Sequence, residues 1–276
     1  MAKPLSASQL LSALKKEGVD VREYRSWRTH NRNHKGAWGP VNGIVIHHTA
    51  GRDSLSLVYN GTSALPGPLC HSHLDKNGVV RMISAGRANH AGSFTQNAHN
   101  AVVNESKTHP RPSGAEVVDG NRHYYGIEIE NLGDGKDKYP ARQYDAAVRW
   151  AAAICRAHGW SEHSVIGHKE GTTRKIDPRG PVEGGGQFDM DRFRKDVGAR
   201  LRGAGKDDDD MPSAKEIAAA VGNRKITIGD NELKADTFLR RILENAWQDQ
   251  AKLTRLQQQV DRIEQQLAQI ADALKR

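Results

Sequence analysis

Two short apolar runs that each end on histidine constrain this chain more than any other feature. Val41-Asn42-Gly43-Ile44-Val45-Ile46 is rich in β-branched residues and reads as a buried strand running straight into His47-His48-Thr49-Ala50-Gly51. Val165-Ile166-Gly167 repeats the pattern and ends on His168. Tyr124 to Glu130 is a third β-rich segment. Residues 141–158 read as a helix with Val148, Ala152 and Cys155 on one side and Gly159 as its stop. A shorter amphipathic helix spans 6–16, carrying Leu10, Leu11 and Leu14 ahead of Gly18. Residues 70–83 predict a hairpin turning at Asp75-Lys76-Asn77-Gly78, where Asn-Gly signals a two-residue turn. Residues 93–123 are polar, contain Pro110 and Pro112, and predict one long loop. Strands alternating with helices predict an α/β fold.

Composition removes several classes of function. No apolar run approaches the roughly 18 residues of a membrane span, so membrane insertion is not expected. The start, Met1-Ala2-Lys3-Pro4-Leu5-Ser6-Ala7-Ser8, has a lysine but no apolar stretch after it, and does not read as a signal peptide. The net charge of +8 suits an anionic partner. No zinc-finger spacing or RNA-binding signature accompanies that charge, so an anionic cell wall is expected and nucleic acid is not. Cys70 and Cys155 make no disulfide framework and are expected to be buried thiols.

His47 and His168 each stand where a buried strand ends, the usual place for a site residue in an open α/β sheet. Asp177 follows nine residues after His168, with Lys175 two before it. Spacing leaves two readings open. Strand-end histidines are commonly structural hydrogen-bonding groups, and two imidazoles with one carboxylate also make a catalytic zinc site with an open fourth position.

Five short motifs occur in order: Ile46-His47-His48-Thr49-Ala50, Asn89-His90-Ala91-Gly92, Tyr125-Gly126-Ile127-Glu128, Gly167-His168 and Arg174-Lys175-Ile176-Asp177-Pro178. Together they resemble the N-acetylmuramoyl-L-alanine amidase type 2 family, which includes the peptidoglycan recognition proteins. The resemblance covers roughly residues 40–200. It implies a mixed central β-sheet flanked by helices and a Zn2+ ion in a surface groove. Carried over by position, His47, His168 and Asp177 match the metal ligands, with the first of the two adjacent histidines chosen. Glu128 matches the catalytic acid–base residue and Lys175 the lysine before the last ligand. His71 and His90 match groove-lining positions. Some members use a tyrosine from the loop after the first strand, and Tyr59 is the alternative base on that ground. The implied substrate is bacterial peptidoglycan, cut between N-acetylmuramic acid and L-alanine.

The catalytic domain is expected over residues 1–202, with a linker at 203–211 where Gly203-Ala204-Gly205-Lys206 precedes Asp207 to Asp210. Residues 212–276 read as a helical module for oligomerisation or wall targeting. Leu253, Leu256, Val260, Ile263, Leu267, Ile270 and Leu274 alternate steps of three and four, a coiled-coil seam that predicts a homo-oligomer through 253–274. Met211 reads as a candidate internal start for free modules. In layout the chain resembles endolysins of actinobacterial phages. Such an enzyme is made in the host cytoplasm and reaches the wall after holin-type release. The rival reading is a recognition protein that grips peptidoglycan without cutting it. Such proteins typically lose a zinc ligand, and all three positions are filled here.

Overall fold

The sheet is built around a strand that water does not reach. In the computed structural model, which describes residues 2–203, Gly43–His48 (β2) is buried at all six positions. A central parallel strand covered on both faces has this character, and it explains the continuous β-branched run. In chain order the elements are α1 (Ala7–Lys16), β1 (Val21–Glu23), β2, α2 (Leu55–Asn60), β3 (Ser72–Leu74), β4 (Val80–Met82), β5 (Ser93–Phe94), α3 (Gln96–Val103), β6 (Val118–Asp119), α4 (Gly120–His123), β7 (Tyr124–Ile129), α5 (Ala141–His158), β8 (Val165–Gly167), α6 (His168–Gly171) and α7 (Met190–Gly203). Six strands form one mixed sheet in the order β1-β4-β3-β7-β2-β8, in which only the β3–β4 pair is antiparallel.

Alternation along the strands divides the core into two sides. Ile44, Ile46, Tyr125, Ile127, Ile129 and Val165 face a cluster containing Leu10 and Leu14 of α1, Trp150 and Ile154 of α5, and Phe193 and Val197 of α7. Each fully buried side chain of this size contributes about 1.5–3 kcal/mol. Val45, Tyr124 and Ile166 face the other way, against Phe94 and against Ala98 and Val102 of α3. A third cluster joins Val58 and Tyr59 of α2 to Leu69, Cys70 and Ile83. The functional residues lie on this second face.

Most predicted elements form where expected. Ser6 caps α1, accepting from the Gln9 backbone while the Gln9 side chain returns to the Ser6 N–H. Helix α5 spans 141–158 and ends at Gly159, and both cysteines are free and buried. Two expectations are corrected. The 70–83 hairpin exists, but its turn is longer than two residues. Asp75 N–H donates to the Val79 carbonyl, the Asp75 carboxylate accepts from Asn77 N and Val79 N, and Gly78 takes φ +81. That left-handed residue is one a side chain resists. Residues 93–123 are not a single loop. They contain β5, α3, β6 and α4, with α3 beginning after Thr95 in extended conformation and burying Ala98, Ala101 and Val102.

No helix of the described residues is long and apolar enough to cross a membrane. The expected linker beyond Gly203, the module at 212–276, its seam and Met211 lie outside the described residues.

Candidate metal centre and groove

His47 stands one residue before the end of β2, in register with Glu128 on β7. Registered neighbours project to the same face, so the two side chains share the second side of the sheet. The adjacent His48 must project oppositely. It does, with its Nδ1 3.4 Å from the Tyr139 hydroxyl and 3.4 Å from the Arg179 backbone nitrogen. The strand pleat thus selects His47 over His48.

His168 follows β8 and opens α6. Its position is fixed by Glu170, whose carboxylate accepts from the Gly167 backbone N–H at 2.9 Å and from both terminal nitrogens of buried Arg194 at 2.8 and 2.9 Å. Asp177 comes from the loop after α6, where the Lys169 N–H donates to its carbonyl at 2.8 Å.

These three side chains converge. His47 Nδ1 lies 2.9 Å from His168 Nδ1 and 3.2 Å from Asp177 Oδ2, and His168 Nδ1 lies 3.0 Å from the same oxygen. All three residues are buried, and their ligand atoms lie within 4.8 Å of one another. A tetrahedral ion with arms of about 2.0 Å has ligands about 3.3 Å apart, close to this spacing.

The hydrogen bonds behind the triad fix where the protons are. His90 Nε2 faces the Tyr124 carbonyl at 3.0 Å, which can only accept, so Nε2 carries the hydrogen and Nδ1 is a bare lone pair. His47 Nε2 lies 3.0 Å from that Nδ1 and donates to it. His168 Nε2 donates to the Ala91 carbonyl at 3.3 Å. In the neutral tautomers that these contacts select, both Nδ1 atoms present lone pairs toward a carboxylate. Burial, then the neighbouring His168, lowers the His47 pKa to about 4, so the ring is neutral and ready to ligate above that pH. Three electron-pair donors facing one another repel unless a cation sits among them, and this donor set suits a divalent metal.

Glu128 is largely buried beside the triad, and its Oε2 has no hydrogen-bond partner. Burial raises its pKa well above the usual carboxylate range, Asp177 adds to the rise, and Lys175 opposes it. Lys175 is exposed at the rim. A groove of about 680 Å3 runs over the site, within the range of small-molecule sites. Glu128, His90, His168, Asp177 and Lys175 line it together with apolar Leu57, Leu65 and Ile176.

The structure brings together His47, His168, Asp177, Glu128, Lys175 and His90. It separates the other two predicted residues. His71 lies behind His90, stacked on Trp38, with Nδ1 accepting from the Gly126 backbone N–H at 3.0 Å. Tyr59 belongs to a helix, not a loop, and its ring stacks on His30 at 3.9 Å between centroids, outside the groove lining. Sequence reasoning missed Asn121, whose Oδ1 accepts from three successive backbone N–H groups at residues 90–92. Its only sequence signal is its place just ahead of the Tyr124–Glu130 strand.

No curated protein matches the chain. Among solved structures it is similar to the endolysin N-acetylmuramoyl-L-alanine amidase LysCS from Clostridium intestinale URNW, with 15% identity and TM-score 0.41 over 66% of this chain and 95% of that one. It is similar to the Staphylococcus aureus hydrolase AmiA in complex with its ligand, with 15% identity and TM-score 0.42 over 73% and 94%. It is also similar to the N-acetylmuramyl-L-alanine amidase AmiD from E. coli in complex with a substrate, with 21% identity and TM-score 0.38 over 52% and 55%. The sequence profile of the N-acetylmuramoyl-L-alanine amidases matches residues 37–180, more than half of the chain, and the chain belongs to that family.

Proposed function

We propose that this chain is a zinc-dependent N-acetylmuramoyl-L-alanine amidase that hydrolyses the bond between the lactyl group of N-acetylmuramic acid and L-alanine in bacterial peptidoglycan. The observation that carries the reading is the convergence of His47 Nδ1, His168 Nδ1 and Asp177 Oδ2, with both imidazole protons committed elsewhere. These three atoms would hold the ion. When bound, zinc supplies Lewis acidity, polarising the amide carbonyl and acidifying water.

The remaining steps fall to side chains of the groove. Glu128, with a basic carboxylate and an unpartnered oxygen, takes the proton of the attacking water and delivers it to the leaving amine of L-alanine. The Lys175 ammonium at the rim stabilises negative charge developing on the carbonyl oxygen. Leu57, Leu65 and Ile176 offer apolar contact to the rest of the substrate. Tyr59 is the weaker candidate for base, because its ring packs on His30. A triad complete alongside Glu128 supports cutting over mere gripping.

The order of a lytic domain followed by a heptad-patterned segment supports a role as a phage endolysin, made in the host cytoplasm and released to the wall by a holin-type partner. Digestion of purified peptidoglycan, read by mass spectrometry, tests the reaction. New L-alanine amino termini without new reducing sugars are expected, and the activity should vanish with a chelator and return with zinc. Glu128→Gln should keep the metal and lose about 10²–10⁴ in turnover. New reducing ends, or full activity in Glu128→Gln, would overturn the assignment.

A further inference from the structure

Residues 90–92 supply an acceptor to each histidine of the triad from adjacent positions in the chain. The His90 ring receives the His47 Nε2–H at 3.0 Å, and the Ala91 carbonyl receives the His168 Nε2–H at 3.3 Å. One oxygen holds this segment in place. Asn121 Oδ1 accepts from the backbone N–H groups of His90 at 2.8 Å, Ala91 at 2.8 Å and Gly92 at 3.3 Å. Asn121 sits in the single turn of α4, which leads directly into β7, so the segment is referenced to the strand that carries Glu128.

Gly126 on β7 completes the seat. A Cβ there would lie 2.4 Å from His90 Nδ1, inside any tolerable contact.

The alternative arrangement is close at hand. Either triad histidine could place its hydrogen on Nδ1 and donate it to Asp177 Oδ2, which lies 3.2 Å from His47 Nδ1 and 3.0 Å from His168 Nδ1. That metal-free state satisfies the carboxylate internally and occupies the lone pair an ion needs. The acceptors at 90 and 91 oppose it by holding each hydrogen on Nε2.

We propose that Asn121 is a positioning residue which, through the main chain of residues 90–92, fixes the tautomers of both His47 and His168 and thereby sets the metal affinity of the site. The proposal rests on the metal-site reading above. Partners that orient metal-bound histidines are commonly worth 10- to 100-fold in affinity. Removing the Asn121 oxygen loosens the acceptors of two ligands at once, which places the expected loss toward the upper part of that range.

The test uses the full chain and zinc alone, in competition with a chromogenic chelator at neutral pH. Asn121→Ala should weaken zinc binding by about 10- to 100-fold, whereas Asn121→Asp, which keeps an acceptor oxygen, should recover most of it. Long-range proton–nitrogen correlations on the metal-free protein should show both triad histidines as Nε2–H in the wild type and a growing Nδ1–H population in Asn121→Ala. A merely structural asparagine would lower the melting temperature without moving these signals. Should Asn121→Ala fail to fold, His90→Gln and His90→Leu carry the test. Glutamine can accept from His47 and donate to the Tyr124 carbonyl, so it should bind zinc more tightly than leucine. Equal zinc affinities within each pair, with unchanged tautomers, overturn the proposal and leave the metal site standing. Failure of the wild type to bind zinc overturns both.

Discussion

Lowering the pH from 8 to 5 should strip the metal-free catalytic domain of a large part of its stability, because its core holds histidines that folding keeps neutral. His71 and His73 are buried, and burial is the first cause of their depressed pKa values, about 3 and about 4. Protonating His71 at Nδ1 would also turn the Gly126 N–H against a like donor. An unfolded histidine titrates at about 6.5. Because these folded pKa values are depressed, the unfolded chain binds more protons throughout the window from about 6.5 down to about 4. Stability is fully present above that window and is lost as the pH falls through it. At pH 5 each unfolded histidine gains about 2 kcal/mol from protonation and each folded one almost nothing, so this pair alone removes about 4 kcal/mol. Domains of this kind carry only about 5–15 kcal/mol in total. Buried His47 and His90, lowered by the same cause, act in the same sense. Glu128, raised by burial, acts in the opposite sense, so the measurement belongs in Glu128→Gln as well as in the wild type. Urea unfolding at pH 8, 6.5 and 5 with excess chelator gives the free energies directly. A change under about 1 kcal/mol between pH 8 and 5 in Glu128→Gln would refute the reasoning.

Gly126→Ala should push its new methyl against the His90 ring, costing about 1–3 kcal/mol in stability by thermal unfolding and weakening zinc binding in the same protein. An unchanged melting temperature would show that the seat is looser than the distances say. Arg194→Met should cost about 3–5 kcal/mol, toward the lower end because Glu170 is partly exposed, since it strands the carboxylate that anchors the start of α6. Denaturant unfolding within about 1 kcal/mol of wild type would contradict this. Replacing Leu256, Ile263 and Ile270 together by Asp should convert an oligomeric full-length chain into a monomer in light scattering, and a wild type that is already monomeric would remove the seam's role.

How far the sequence led depended on whether a residue's role was local. Helix α5 was legible because its apolar spacing and its Gly159 stop are both local signals. Helix α3 was not, because Gln96, Asn97, His99 and Asn100 dominate its composition and its apolar face is only Ala98, Ala101 and Val102. Asparagine is a weak helix former, and packing against Phe94 and Tyr124 decides the conformation. The choice of His47 over His48 came from resemblance, but strand alternation reaches the same answer, since only one of two neighbours can face Glu128. Tyr59 stands apart from the groove because the segment after the strand, loop-like in sequence, is a helix that turns the ring onto His30. Asn121 was beyond reach altogether. Its partners are main-chain N–H groups about thirty residues away, and main-chain groups carry no sequence signal.

The same burial that should make this domain acid-labile is what prepares its site. A histidine in water is appreciably protonated at pH 6, and a protonated ring cannot ligate a metal. Holding the His47 pKa at about 4 keeps its lone pair free through the neutral and mildly acidic range. Burial alone does not choose which nitrogen keeps the hydrogen. That choice falls to the His90 ring and the Ala91 carbonyl. Desolvation therefore sets the charge of His47 and the neighbouring acceptors set the tautomers of both histidines, and the two can be separated by experiment. Asn121→Ala should weaken metal binding by a similar factor at pH 6 and at pH 8, because it disturbs the tautomer without exposing the rings. A substitution that lets water reach His47 should instead weaken binding mainly below pH 7, as the ring's pKa returns toward about 6.5.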